Sequence, residues 1–180
     1  MCWLTVDRAI ALSEVFIGAP RPDWESLRAA ISAVVLEHGW RRSSGAFTGA
    51  YGHDEIDAAA LHVGLSGLVP PDDDRFLATV REVERQLLDW PIVRRYRFDD
   101  GLPGEEGGFL ICTSWLIESY AMLGRMDEAL RLFDALVRLA GPTGMMAEQY
   151  DPRNRLALGN HPQAYSHLGV INCAVRLSGG

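Results

Sequence analysis

The sequence has 180 residues, 48% hydrophobic and 23% charged, which is the length and composition of one globular domain. Its formal net charge of -7 argues against a nucleic-acid partner, because such binding draws most of its affinity from clustered positive charge. No apolar run approaches the ~20 residues of a membrane-spanning helix and no secretory signal pattern opens the chain, so we expect a cytoplasmic protein.

Apolar residues recur with the period of an α-helix in seven segments, whereas strand-like alternation is nearly absent. In chain order, the predicted helices cover residues 2–17, 23–38, 54–63, 73–88, 108–123, 126–140 and 162–177. The sequence therefore predicts an all-α fold.

The predicted helices alternate between two kinds. Segments 73–88 and 126–140 each carry one apolar stripe opposite a charged face, which is typical of a helix with one side in water. The stripe of the second segment comprises Met126, Leu130, Phe133 and Val137. Segments 2–17, 108–123 and 162–177 are apolar around much of their circumference, which predicts burial on more than one face. This order of inner and outer helices indicates an α/α toroid or a solenoid of helical hairpins.

The links between the predicted helices differ in length according to their direction. Links from an inner to an outer helix are short, but three links from an outer to an inner helix are long, at residues 39–53, 89–107 and 141–161. In antiparallel hairpins these three loops emerge at the same end, and we call that end the loop face. Long ordered loops on one face of a rigid scaffold are the usual setting of a binding or catalytic site, which favours the toroid.

The chain enters its first apolar helix at Met1 with no capping residue before it. A toroid that begins there leaves inner helices uncovered, so we expect either a missing partner segment or an exposed apolar patch. The three cysteines, Cys2, Cys112 and Cys173, lack metal-binding spacing and are expected to be reduced, buried thiols. Neither a metal nor a cofactor is expected.

Two stretches of the loop face carry acids that have two open interpretations. The stretches are "AYGHDEIDAA" (50–59) and "GLPGEEGGF" (101–109), and their candidate binding residues are Tyr51, Asp54, Glu105 and Glu106. In the structural interpretation, the acids cap the helices that follow them. In the functional interpretation, the carboxylates accept hydrogen bonds from sugar hydroxyls.

The third stretch, residues 141–167, places Glu148 among Met, Gln and Tyr instead of on a charged surface. A carboxylate in a semi-rigid loop can orient a water molecule and take its proton, which is the general-base task in hydrolysis. Gln163 and His167 add polar groups near the start of the next helix, although a histidine in an apolar helix also has a purely structural interpretation.

Several strings along the chain resemble one family. The two longer strings that carry the resemblance are "DDGLPGEEGGFLICTSWLIESYAMLGRMDEALRLFDALVRLA" and "MMAEQYDPRNRLALGNHPQAYSHLGVINCAVRL". The two shorter strings, "YGHDEIDAA" and "VPPDDDRFLATV", lie upstream of them. Together they are similar to the C-terminal half of bacterial members of glycoside hydrolase family 15, the glucoamylase, glucodextranase and trehalase-like enzymes. The resemblance implies a six-hairpin (α/α) barrel that hydrolyses an α-glucosidic bond with inversion, through two carboxylates.

The resemblance assigns the general base to Glu148 and places Gln163 and His167 in the pocket lining. The family's general acid belongs to a Trp-Glu motif upstream of a segment like "MCWLTVDRAI", where this chain begins. The resemblance therefore implies that residues 1–180 are the C-terminal portion of one catalytic domain, with the general acid and the N-terminal part missing. We expect this portion to be inactive alone, to act on a carbohydrate, and to associate with the missing half or with itself.

A second class of protein stays open. Residues 115–140 also resemble one tetratricopeptide-type hairpin, which would make the chain a non-catalytic scaffold that binds a peptide or a sugar. No 34-residue period recurs elsewhere, and the uneven loops argue against a repeat protein. The sequence does not distinguish an α-glucan from trehalose as the substrate.

Overall fold

The computed structural model describes residues 1–99, 101 and 106–179, apart from the side chain of Glu14. This part of the chain forms seven α-helices: α1 (Cys2–Phe16), α2 (Pro22–His38), α3 (His62–Leu65), α4 (Asp74–Leu87), α5 (Leu110–Met122), α6 (Met126–Arg138) and α7 (Ala164–Leu177). Two 3-10 turns occupy Ala58–Leu61 and Gly141–Thr143. The prediction of a mostly helical fold with about seven helices is confirmed.

Short antiparallel strands lie in the long links. They are β1 (Trp40–Arg41), β2 (Ala46–Phe47), β3 (Leu88–Asp89), β4 (Ile92–Val93), β5 (Gly108–Phe109), β6 (Gln149–Asp151) and β7 (Leu156–Leu158). The first four form two hairpins, and the last three form one sheet in the order β5-β6-β7. Their length of two or three residues leaves no alternation for the sequence to reveal.

The third helix differs from its prediction over 54–63. Residues 54–57 are irregular, a 3-10 turn follows, and α3 is only four residues long. The capping side chain is Asp57, whose Oδ1 accepts a hydrogen bond from the Ala59 N–H at 2.7 Å. The structural interpretation, a helix cap, is wrong for Asp54, because that carboxylate bonds to the β1–β2 hairpin instead.

Helix α5 lies at the centre of the core and packs against α3, α6 and α7. Eight of its 13 residues are buried, so its predicted burial on more than one face is confirmed. A Cβ atom at Gly169 of α7 would come within 2.5 Å of Ser114 Oγ, so the glycine permits the close approach of α7 to α5.

The outer helices α4 and α6 each bury one face. Helix α4 buries Phe76, Thr79, Val80, Val83 and Leu87. Helix α6 buries Ala129, Leu132 and Leu136, whereas the predicted stripe is wrong, because Met126, Leu130 and Val137 are exposed. Helix α6 carries two apolar rows, and the row that contains the small Ala129 faces the core.

Helices α1 and α7 carry exposed apolar faces. In α1, Leu12, Val15 and Phe16 are 55%, 77% and 80% exposed. In α7 the exposed apolar residues are Tyr165, Leu168, Ile171 and Val175. The burial on more than one face predicted for these two helices is therefore wrong, and the expected exposed apolar surface is present on each of them.

Two of the three cysteines match their prediction. Cys112 and Cys173 are buried, and burial raises the pKa of both thiols. Cys2 is exposed, so its predicted burial is wrong, because the first turn of α1 lies at the surface. None of the helices in the described part of the chain is long and apolar enough to cross a membrane.

Candidate active site

The second long loop lies beside both of the others. It lines one cavity together with the first loop. Just after the first loop, Ala58 N–H donates to Arg95 O at 2.8 Å, and Asp57 forms a 3.4 Å ion pair with Arg95. The second and third are joined where β5 pairs with β6, with Gly108 opposite Tyr150. The second loop is therefore next to the other two, which agrees with the predicted convergence of the loops on one face.

A cavity of about 390 Å³ lies between the first and second loops. It is lined by Gly49, Ala50, His53, Glu55, Asp57, Phe98 and Asp99. The loop face therefore has a concave surface that carries three carboxylates and one aromatic ring.

Glu148 directly precedes β6, and its backbone is bonded on both sides. Its N–H donates to Asn160 O at 2.9 Å, and its carbonyl accepts from Leu110 N–H at 3.1 Å. The second bond ties Glu148 to the first residue of α5, the central helix. Glu148 is therefore held at the junction of the three-stranded sheet and the core.

The Glu148 carboxylate is oriented by Asn160. Both the backbone N–H and the side-chain Nδ2 of Asn160 donate to Glu148 Oε2, each at 3.0 Å. Within the described part of the chain, Oε1 has no hydrogen-bond partner, and the side chain is half-buried. One carboxylate oxygen is fixed by two donors, while the other accepts no hydrogen bond from the described residues.

Gly159 makes this approach of Asn160 possible. Its φ is +72°, a left-handed conformation that residues with a Cβ atom rarely adopt. A Cβ atom there would lie 2.7 Å from Glu148 Oε2 and 3.0 Å from Glu148 Cβ. Only glycine fits between the turn and the carboxylate.

The start of α7 bonds to the residues that precede Glu148. Gln163 N–H donates to Met146 O at 2.8 Å, and Ser166 Oγ donates to Ala147 O at 2.7 Å. The N–H of Met146 donates to His167 Nε2 at 3.2 Å. The predicted residues Gln163 and His167 thus lie in the same cluster as Glu148.

The predicted residues of the first loop have other neighbours. Asp54 bonds to Ser43 and Arg41, and these hydrogen bonds, with that from Ser43 the stronger, keep the pKa of its carboxyl below its usual value. Tyr51 is 52% exposed and its ring lies 5.9 Å from that of His38. It lines a separate cavity of about 450 Å³ beside α1 and α2.

The second loop carries two predicted binding residues, Glu105 and Glu106. Glu105 lies outside the described residues. Glu106 is exposed, and its backbone carbonyl accepts a hydrogen bond from Arg94 at 2.6 Å. The residue after it, Gly107, donates its N–H to Gln149 Oε1 at 3.0 Å, which places Glu106 near the strand that follows Glu148.

Asn160 is the site residue that the sequence analysis did not select. It stands in the string "LGNHPQAYSH", so the available signal was its place in that motif and not its residue type. The described residues contain no cluster of three His, Cys, Asp or Glu side chains that could hold a metal ion.

The helical scaffold with its loop face is shared with glycosidases of known structure. A solved wild-type glycosidase matches 87% of this chain and 44% of its own, with a TM-score of 0.76 and 24% sequence identity. At that identity the likeness establishes a common fold.

The family follows from the sequence comparison. The model of the glycosyl hydrolases family 15 matches residues 1–175, and the chain belongs to that family. It is 40% identical to a trehalase of Mycobacterium tuberculosis and 37% identical to a trehalase of Thermoplasma volcanium, over 98% of this chain in each case. The chain spans 26% and 29% of the length of these two relatives, respectively.

Proposed function

We propose that Glu148 is the general base in the inverting hydrolysis of an α-glucosidic bond, with trehalose as the favoured substrate. The observation that carries this proposal is that Asn160 donates two hydrogen bonds to Oε2, while Oε1 accepts none from the described residues and can accept one from a water molecule. A positioned base typically contributes a factor of about 10² to 10⁴ in rate. The trehalase relatives favour trehalose over a longer α-glucan.

Inverting hydrolysis also requires a general acid, about 6.5 to 9.5 Å from the base, so that water fits between the base and the sugar. We propose that this acid belongs to a polypeptide segment other than residues 1–180, and that these residues are the C-terminal portion of the catalytic domain. The greater length of the relatives supports this division. Under this proposal the 180-residue chain by itself is inactive or nearly so.

The same division would explain why α1 and α7 have exposed apolar faces. Both helices belong to the inner layer in the predicted toroid, where a further inner helix would cover each exposed face. We propose that the remaining helices of the domain pack there, and that self-association over the same faces is the alternative. Free thiols agree with a reducing, cytoplasmic location.

The activity test combines this chain with the part of the M. tuberculosis trehalase that it does not match. Glucose release from trehalose and from maltose is measured for this chain alone, for the relative's part alone and for the mixture, and again with both encoded as one polypeptide. We expect activity only in the combined forms, with release of β-glucose from trehalose as the first product seen by NMR.

The Glu148→Gln variant tests the role of the base. We expect it to lose a factor of about 10² to 10⁴ in kcat in the combined form. Glu25→Gln is the matched control, because Glu25 is an exposed acid in the first turn of the outer helix α2. Full activity of Glu148→Gln would remove this residue from the mechanism, and Glu148-dependent activity of this chain alone would refute the missing acid.

A matched pair of substitutions tests whether the rest of the domain packs against the exposed apolar face of α7. Ile171→Glu places a charge on the exposed face of α7, and Val137→Glu places one on the exposed row of the outer helix α6. We expect only the first to prevent co-purification of the two parts. Equal effects of the two variants would contradict docking at α7, and a dimer of this chain alone would favour self-association.

A further inference from the structure

The segment Met146–Glu148 is held from two sides. Helix α7 bonds to Met146 and Ala147, and the residues just before α7 bond to Glu148. The helix can therefore transmit its position to the carboxylate that we propose as the base. His167 makes the one bond from an α7 side chain to a backbone N–H of this segment.

This contact fixes the protonation state of the imidazole. A backbone N–H can only donate, so Nε2 must accept with its lone pair, and a neutral ring then carries its proton on Nδ1. A protonated imidazole would direct an N–H from Nε2 toward the N–H of Met146. The contact at 3.2 Å therefore requires neutral His167.

The geometry along the chain connects this contact to the carboxylate. Met146 is two residues before Glu148, and the carbonyls of Met146 and Ala147 accept hydrogen bonds from Gln163 N–H and Ser166 Oγ. If the Met146 N–H lost its acceptor, the segment would keep its carbonyl bonds and the two backbone bonds of Glu148, but its N-terminal end would be held less tightly against α7. We expect this loosening to widen the range of positions of the Glu148 side chain and so to weaken the two bonds from Asn160 to Oε2.

We propose that His167 is a positioning residue for Glu148, which it holds against Asn160 by accepting the N–H of Met146. The proposal rests on the proposed function of Glu148, but its structural half can be measured without any activity. It gives His167 a role other than the substrate contact expected for it, because its Nε2 is already engaged by the backbone.

The structural test uses NMR on the 180-residue chain. In the wild type, we expect the nitrogen chemical shift of His167 Nε2 to be that of an unprotonated acceptor. In His167→Leu we expect hydrogen exchange at the Met146 amide to rise about tenfold and the Asn160 side-chain amide signals to move toward those of a free amide. His167→Gln keeps an acceptor at a similar reach, so it should restore both signals.

Ser178→Ala is the control, because Ser178 follows the other end of α7 and its hydroxyl donates to Val175 O. It should leave the Met146 and Asn160 signals unchanged. A protonated Nε2 in the folded wild type would overturn the proposal. Unchanged Met146 exchange or unmoved Asn160 signals in His167→Leu would overturn it as well. If His167→Leu does not fold, the wild-type Nε2 measurement and the Gln variant still decide the outcome.

The functional test uses the combined enzyme described above. We expect His167→Leu to lower kcat about 10- to 100-fold with little change in KM, and His167→Gln to recover most of the loss. A wild-type kcat in His167→Leu would overturn the positioning role. If the NMR signals respond as expected while Glu148→Gln keeps full activity, the hold on Glu148 stands and the proposed function fails.

Discussion

A methyl group added at Gly159 should specifically disturb the Glu148 carboxylate. In Gly159→Ala the new Cβ would lie 2.7 Å from Glu148 Oε2, which is closer than a Cβ atom tolerates. The residue must also keep φ near +72°, which costs about 1–2 kcal/mol once a Cβ is present. Displacing the carboxylate from Asn160 adds the loss of hydrogen bonds to a charged group, about 1.5 kcal/mol for this half-buried side chain.

Gly144→Ala separates these two costs. Gly144 has nearly the same φ, +70°, and lies in the same loop, but nothing lies within 4 Å of its Cβ position. We expect Gly144→Ala to lower the free energy of unfolding only by the backbone cost, about 1 kcal/mol. Gly159→Ala should lower it by about 1.5 kcal/mol more. The difference measures the contact with Glu148.

Urea unfolding of both variants gives the two free energies. The midpoint should fall further in Gly159→Ala with an unchanged slope, since neither substitution alters the surface that unfolding exposes. Losses that agree within about 0.5 kcal/mol would refute the close contact between Gly159 and the carboxylate.

Two further predictions concern stability. Asp73 caps α4 and bonds to Arg75, and this bond keeps the pKa of the Asp73 carboxyl below its usual value. Asp73→Ala should therefore cost about 1 kcal/mol at pH 7, and the cost should shrink below about pH 4 as the wild-type carboxyl becomes protonated. Arg125 makes two hydrogen bonds to Glu84, which also accepts from the Tyr120 hydroxyl at 2.7 Å. Arg125→Ala should cost about 2 kcal/mol, because it leaves the largely buried Glu84 without its countercharge. Urea unfolding at several pH values measures both.

Each stability prediction has a defined contrary result. A cost of Asp73→Ala that stays constant from pH 7 to below about pH 4 would contradict the charged cap. For Arg125, the control is Arg85→Ala, whose side chain is 67% exposed in its pair with Glu82 and should cost no more than about 0.5 kcal/mol. Equal losses at the two arginines would contradict the partly buried network.

Hydrophobic periodicity sufficed for the number and position of six of the seven helices. These six have a repeating apolar pattern over 13 or more residues, which is a strong local signal. The helix predicted near Asp54 and Asp57 was wrong, because capping and ion pairing decide the conformation of this segment. Asp54 bonds to residues of the β1–β2 hairpin. The wrong stripe of α6 has a similar origin, since two apolar rows compete and only packing selects one.

The sequence by itself determined the helical class, the uneven loops and the candidate Glu148, because these depend on residue type and spacing along the chain. Only the tertiary structure decided that Asn160 holds Oε2 and that His167 engages Met146, since both contacts join residues 12 to 21 positions apart. Such contacts arise when the β-sheet and α7 close around the segment that carries Glu148. Periodicity carries no information about which of these side chains will meet, because their meeting is a property of packing.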